Sequence, residues 1–208
     1  IPFIYDYADE DFCEGLARVQ KDGKYGYIDK TGKEIASCIY DNVYSFNEGL
    51  AGVKKDGKYG FIDKTGKEVL PCIYDDVRIF REGLARVKKN GKWGLIDKTG
   101  KEVVPCIYDG IYDGAGDFCK SLTRVQKDGK YGYIDKTGKE VVPCIYDGAG
   151  DFCKSLTQVQ KDGKYGYIDK TGKEVITCIY DNISILSDTL SDIYDQVIYY
   201  KGYVKVKK

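Results

Sequence analysis

Apolar positions along this chain come in short runs cut by turn dipeptides, and nowhere at the three-and-four spacing over ten residues that an amphipathic helix requires. Leu84 to Lys89 is one such run; it stops at Asn90-Gly91, and Trp93 to Ile96 is the next. Asn-Gly or Asp-Gly between two runs predicts a type I′ hairpin, because both central residues take positive φ. Asp22-Gly23, Asp56-Gly57, Asp128-Gly129 and Asp162-Gly163 repeat the signal. The Asp-Lys-Thr-Gly that follows each second run suits a type I turn, with Asp at its first position and a left-handed Gly closing a bulge. A third strand then runs through Glu102-Val103-Val104 to Pro105, whose missing N–H suits a strand end or edge. The expected element is a three-stranded antiparallel meander, with no helix longer than one turn.

The meander recurs. Asp29-Lys30-Thr31-Gly32-Lys33-Glu34 aligns with identical hexads beginning at Asp63, Asp97, Asp135 and Asp169, a period of about 34 residues. The interval from Asp97 to Asp135 is about four residues longer, and the excess is a doubled tetrad, Ile107-Tyr108-Asp109-Gly110 followed by Ile111-Tyr112-Asp113-Gly114. The stretch from Asp113 to Val141 returns from Asp147 to Val175 with only Arg124 replaced by Gln158, as after a recent duplication. Ile185 to Ile193 fits over Ile79 to Val87, so a drifted sixth unit closes the chain. Ile1-Pro2-Phe3-Ile4-Tyr5-Asp6 matches Val104 to Asp109, so the chain opens in the tail of a preceding unit. One repeat domain is expected over 1–208, with a tail at 1–6, repeats at 7–41, 42–75, 76–109, 110–147 and 148–181, and a degenerate unit at 182–208.

A three-stranded meander cannot bury a face alone, so successive units must pack in series. An all-β propeller-like ring, completed by pairing of the two ends, satisfies this, and so does an open β-solenoid capped by the drifted unit.

Charge narrows the partners: 33 basic residues balance 33 acidic ones, which leaves no excess to hold nucleic acid or an anionic membrane. No apolar run approaches the length of a membrane helix. The chain opens at Ile1 and contains no Met, as expected of a trimmed product, so its compartment is not legible.

Catalytic chemistry finds little support. The chain has no His, the commonest general base and a frequent metal ligand, so neither an enzyme nor a resident cofactor or metal is expected. An Asp present in every unit, as Asp29 is, is explained by turn hydrogen bonding. Gly114-Ala115-Gly116 and Gly148-Ala149-Gly150 lack the helix or Gly-Lys-Ser/Thr run of a phosphate cradle, and Asp109, Asp113 and Asp117 lack calcium-loop spacing.

Of the eight cysteines, Cys38, Cys72, Cys106, Cys144 and Cys178 share one repeat position, and Cys13, Cys119 and Cys153 share another. The spacing allows bridges Cys13–Cys38, Cys119–Cys144 and Cys153–Cys178, with Cys72 and Cys106 left over; such bridges would favour the cell surface or secretion. The competing and preferred reading is that each Cys is a small buried hydrophobe.

Twenty tyrosines are the most suggestive feature. Tyr25-Gly26-Tyr27 and its equivalents place two rings on one strand face and Gly on the other. Tyr25, Tyr27, Tyr59, Trp93, Tyr131, Tyr133, Tyr165 and Tyr167 can then form a ladder, either buried as core or exposed as a platform for a sugar or a protein edge.

Lys92-Trp93-Gly94-Leu95-Ile96-Asp97, with Glu82-Gly83-Leu84-Ala85 before it and Lys98-Thr99-Gly100-Lys101 after it, resembles the bacterial WG (KWG) repeat. Four other units put Tyr25, Tyr59, Tyr131 and Tyr165 where that family has Trp, and the resemblance extends to about Asp181. It implies β-rich modules and offers no catalytic residues to carry over. The expected role is a scaffold for protein interaction or self-assembly, with head-to-tail filaments as one form. A surface or secreted carbohydrate-binding module is the alternative.

Overall fold

The computed structural model describes residues 4–112, 122–152, 155–183, 197–200 and 203–206. The expected repeat at 182–208, most of the insertion before the fourth unit, and Cys119 and Cys153 lie wholly or largely outside these residues. Five four-stranded antiparallel sheets follow one another. The first holds β1 (Tyr7–Ala8), β2 (Leu16–Lys21), β3 (Lys24–Asp29) and β4 (Glu34–Tyr40); the second holds β5 (Asn42–Val43), β6 (Leu50–Lys55), β7 (Lys58–Asp63) and β8 (Glu68–Tyr74). The third holds β9 (Asp76–Val77), β10 (Leu84–Lys89), β11 (Lys92–Asp97) and β12 (Glu102–Tyr108). The fourth holds β13 (Gly110–Tyr112), β14 (Thr123–Lys127), β15 (Lys130–Ile134) and β16 (Glu140–Tyr146); the fifth holds β17 (Gly148–Ala149), β18 (Leu156–Lys161), β19 (Lys164–Asp169) and β20 (Glu174–Tyr180). A separate hairpin joins β21 (Val197–Tyr200) to β22 (Tyr203–Val206). The chain divides into two compact units, 1–107 and 108–208.

Each sheet thus has four strands where the pattern predicts three. The added strand is a two- or three-residue piece after Ile-Tyr-Asp, too short to show alternation, paired to the second strand as in Asp76↔Lys88 and Val77↔Val87. In the first three sheets it is folded back by a second positive-φ turn: Glu14-Gly15 (φ 50° and 89°), Glu48-Gly49 (53° and 85°) and Glu82-Gly83 (52° and 81°). Glu is an unusual residue at positive φ, so this turn carries no dipeptide signal of the Asn-Gly kind.

The Asp-Gly and Asn-Gly hairpins form as the pattern requires, with φ of 52° at Asn90 and 77° at Gly91. The Asp-Lys-Thr-Gly turns form too. Asp29 Oδ1 accepts from Thr31 N at 2.8 Å, Thr31 Oγ1 at 2.6 Å and Lys33 N at 3.1 Å, while Gly32 N donates to the Asp29 carbonyl at 3.0 Å. Each of the other four hexads repeats these bonds, for example around Asp97.

The third and fourth strands of a sheet meet through a bulge: Tyr25 pairs Tyr40, but Tyr27 pairs Ala36, so Ser37, Cys38 and Ile39 stand opposite Gly26 alone. A Cβ built on Gly26 would lie 2.4 Å from the Ala36 carbonyl oxygen and 2.9 Å from Cys38 N, both backbone atoms. The glycine of the aromatic-Gly pair therefore serves close approach of the outer strand.

Core lies between successive sheets. Leu16, Tyr27, Ala36 and Tyr40 of the first sheet pack on Val43, Phe46, Ala51, Val53 and Ile62 of the second. Leu50, Phe61, Leu70 and Tyr74 pack in the same way on Val77, Phe80, Ala85, Val87 and Ile96. In the second compact unit Tyr133, Val142 and Tyr146 meet Val159 and Ile168. Within each compact unit, neighbouring sheets thus bury facing surfaces by stacking, which a single meander could not do.

Candidate interaction surface

Three rings, each the second aromatic of its pair, fill seams. Tyr27 meets the Phe46 ring edge-on at 4.9 Å, Phe61 meets Phe80 at 4.9 Å, and Tyr133 meets Phe152 at 4.9 Å. Tyr27 Oη donates to the Tyr44 carbonyl and Tyr133 Oη to the Gly150 carbonyl at 2.6 Å, so the burial of each phenol is compensated. Burial pushes the Tyr27 hydroxyl far above its ordinary range and the Tyr133 hydroxyl up to about 12.

The first aromatics sit at the seam rim. Tyr25, Tyr59, Trp93, Tyr131 and Tyr165 are half-buried, as is Tyr167, whereas Tyr27 and Tyr133 are 1% exposed. No platform can therefore include Tyr27 or Tyr133. Rim rings are faced by cations: Lys54 Nζ lies 5.1 Å from the Tyr59 centroid, and Arg78 and Lys88 lie 5.6 and 5.7 Å from that of Trp93. Tyr44 stacks on Tyr59 at 6.1 Å.

Carboxylates clamp neighbouring sheets. Asp41, at the end of Ile-Tyr-Asp, accepts from Lys24 Nζ of the first sheet and from Gly57 N of the second, at 3.4 Å for the latter. Asp75 does the same between Lys58 Nζ at 2.5 Å and Gly91 N at 3.1 Å. The lysine partner, then the backbone N–H, hold both carboxyls below the usual Asp range. Glu48 reaches forward one repeat to accept from Glu82 N at 2.5 Å and Gly83 N at 2.9 Å, with Lys98 Nζ at 3.0 Å. Glu14 bonds Gly49 N and Lys64 Nζ in the equivalent way. Sequence reading missed this role for Glu-Gly; its recurrence one repeat apart was the available signal.

The cysteines are separate. Cys13 is exposed and free, its Sγ 3.0 Å from the Phe46 carbonyl, and Cys38 is free and half-buried, so the Cys13–Cys38 bridge is not formed. Cys144 and Cys178 are free as well, and their expected partners lie outside the described residues. Cys72 and Cys106 pack at the seams. Burial raises the Cys38, Cys72, Cys106, Cys144 and Cys178 thiols, which keeps them protonated near neutrality.

A further exposed feature is the outer strand. Each sheet ends at β4, β8, β12, β16 or β20, whose far side pairs with no strand of its sheet. At one position of each stands an exposed isoleucine: Ile39 (46%), Ile73 (43%), Ile107 (39%), Ile145 (42%) and Ile179 (61%). A cleft of about 460 Å³ by Tyr7, Asp9 and Arg18 carries charges that satisfy each other, with Arg18 Nε 2.6 Å from Asp9. Among the described residues no group of three His, Cys, Asp or Glu is placed to hold a metal, and no helix is long and apolar enough to cross a membrane.

Stacked four-stranded sheets with an aromatic-Gly pair at each bulge define a β-repeat protein. The family model of the WG containing repeat matches residues 1–25, 25–59, 59–93, 93–131, 131–165 and 165–188, and the chain belongs to that family. Sequence comparison with curated proteins gives no match. Among solved structures the chain is similar to Hsv2 of Kluyveromyces marxianus, at 8% identity over 80% of this chain and 63% of that one, with a TM-score of 0.42. A eukaryotic initiation factor is similar at 10% identity, over 82% of this chain and 54% of that one, with a TM-score of 0.45. The extracellular domain of a putative hybrid two-component system of B. thetaiotaomicron is similar at 13% identity, over 79% and 26%, with a TM-score of 0.36. The chain thus spans less than two thirds of each of these, and the likeness is loose.

Proposed function

We propose that the chain is a non-enzymatic scaffold of WG repeats that contacts protein, further copies of itself included, along the outer strands of its sheets. The observation that carries this reading is the isoleucine repeated in the open at one position of five sheets. A lone exposed apolar residue means little, but the same one presented at every period is a contact array. The charged groups support the reading by being spent internally: Asp29, Asp41, Glu48 and their equivalents hold turns and seams. The test replaces Ile39, Ile73, Ile107, Ile145 and Ile179 with Ser and compares lysine crosslinking with the parent. Crosslinked oligomers in the parent, lost in the variant at an unchanged melting temperature, are expected. A parent that crosslinks only as monomer, or a variant that crosslinks like the parent, would contradict it.

Half-exposed rings at Tyr59 and Trp93 favour a second reading, a carbohydrate module using the seam rim. Arg78 and Lys88 already occupy the surroundings of Trp93, which ranks this below the scaffold. Unchanged retention on a glycan panel after Trp93→Ala would end it.

A further inference from the structure

The hairpin between the second and third strands turns on Asp-Gly in four sheets and on Asn90-Gly91 in the third. The backbone is the same in all five. φ is 50° or 51° at Asp22, Asp56, Asp128 and Asp162 and 52° at Asn90, and the glycines that follow lie between 74° and 79°, with Gly91 at 77°. The clamp onto the hairpin is shared as well: Asp75 accepts from Gly91 N at 3.1 Å, and Asp41 accepts from Gly57 N at 3.4 Å. What differs is charge. The ammonium of Lys24 is raised above its ordinary range by Asp41 first and by Asp56 of the hairpin as well, and that of Lys130 by Asp147 and then by Asp162 of the hairpin. The Lys58–Asp75 clamp has the neutral Asn90 at this place.

Asparagine before glycine is also the dipeptide most open to loss of the side-chain amide. Gly91 N gives up its proton and bonds to Asn90 Cγ, closing a succinimide, and the side-chain nitrogen leaves as ammonia. Water then opens the ring: breaking the bond from Cγ to Gly91 N leaves aspartate, and breaking the main-chain amide leaves isoaspartate. Both residues are exposed, and a Cβ built on Gly91 would meet nothing within 4 Å, so the ring has room. The other asparagines, Asn42, Asn47 and Asn182, precede the bulkier Val43, Glu48 and Ile183. A closed clamp restrains the reaction, because negative charge forming on Gly91 N would face the Asp75 carboxylate. Conversion therefore waits on opening of the hairpin.

We propose that Asn90 is a spontaneous modification site of this chain, where loss of ammonia leaves an aspartate that takes up the turn and clamp the sister hairpins build with Asp. The product adds one acidic residue to a chain whose 33 basic and 33 acidic residues balance. Isoaspartate does not refit, since it lengthens the main chain inside a two-residue loop that must still pair Lys89 with Lys92.

The test holds the folded chain at mildly alkaline pH and follows each asparagine by peptide mass mapping, beside the same chain in denaturant. Conversion should appear at Asn90 ahead of Asn42, Asn47 and Asn182, and Asp75→Ala should speed it several-fold. The aspartyl product should melt with Asn90→Asp, at or above the parent, and the isoaspartyl product below it. Asn90 left intact in the folded chain after full conversion in denaturant, or conversion spread evenly over the asparagines, overturns the site. An Asp75→Ala chain that converts no faster overturns the restraint by the clamp, and an Asn90→Asp chain that melts below the parent overturns the refitting.

Discussion

A Cβ on Gly60 would lie 2.5 Å from the Leu70 carbonyl oxygen, and one on Gly94 would lie 2.6 Å from that of Val104. The glycine that marks each repeat is thus fixed by an outer strand crossing against it, and the two rings flanking it have unequal work. Phe61 is 1% exposed in a seam, whereas Trp93 lies half-open at the rim between Arg78 and Lys88. Phe61→Ala should cost about 3–5 kcal/mol, the usual range for a buried aromatic, in chemical denaturation. Trp93→Ala should cost only about 1–2 kcal/mol, typical of a partly exposed position. Equal costs would show that the rim ring is core after all. Tyr133 adds a pH signature. Its hydroxyl is raised by burial from the ordinary 10.0 to about 12, so its contribution to stability is complete below pH 10 and is lost as pH climbs through about 12. Melting temperature should fall across that window, and Tyr133→Phe should flatten part of the fall; an unchanged slope would mean the phenol is not held in the seam.

At the scale of elements, three of each sheet's four strands, with the Asp-Gly or Asn-Gly hairpin and the Asp-Lys-Thr-Gly turn between them, were legible in the sequence. Asn90-Gly91 and Asp97-Lys98-Thr99-Gly100 each contain residues that only their turn type favours, and the alternation between them is long enough to read. The first strand was not legible, because Asp76-Val77 is too short for a period and Glu82-Gly83 lacks the usual chemistry of positive φ. The role of Ile-Tyr-Asp was hidden for another reason: Asp75 works on Lys58 and Gly91, far away in sequence and on different strands. These carboxyls, with the turn aspartates, have lowered pKa values from their lysine or threonine partners and backbone N–H bonds. Depressed groups stabilise above the ordinary Asp value and release that stability as pH falls through their own. Acid unfolding should therefore have its midpoint below pH 3.8, and Asp75→Asn should weaken the acid dependence. Loss of structure already at pH 5 would argue that the clamps do not form.

For the molecule, the repeat accounts for most of the residues that recur. Rings, carboxylates and glycines that recur are absorbed by seams and turns, and their recurrence made the repeat easy to find and a site hard to see. Candidate bridges read from cysteine spacing did not include distance in the fold, and Cys13 reaches the Phe46 carbonyl of the next sheet instead of Cys38. Amide hydrogen exchange compared between dilute and concentrated protein tests the account most directly. Added protection on concentration should appear in the outer strands 34–40, 68–74, 102–108, 140–146 and 174–180 that carry the exposed isoleucines, with the strands carrying Tyr25, Tyr59 and Trp93 unchanged. Protection gained at those aromatic strands, or identical exchange at both concentrations, would contradict it.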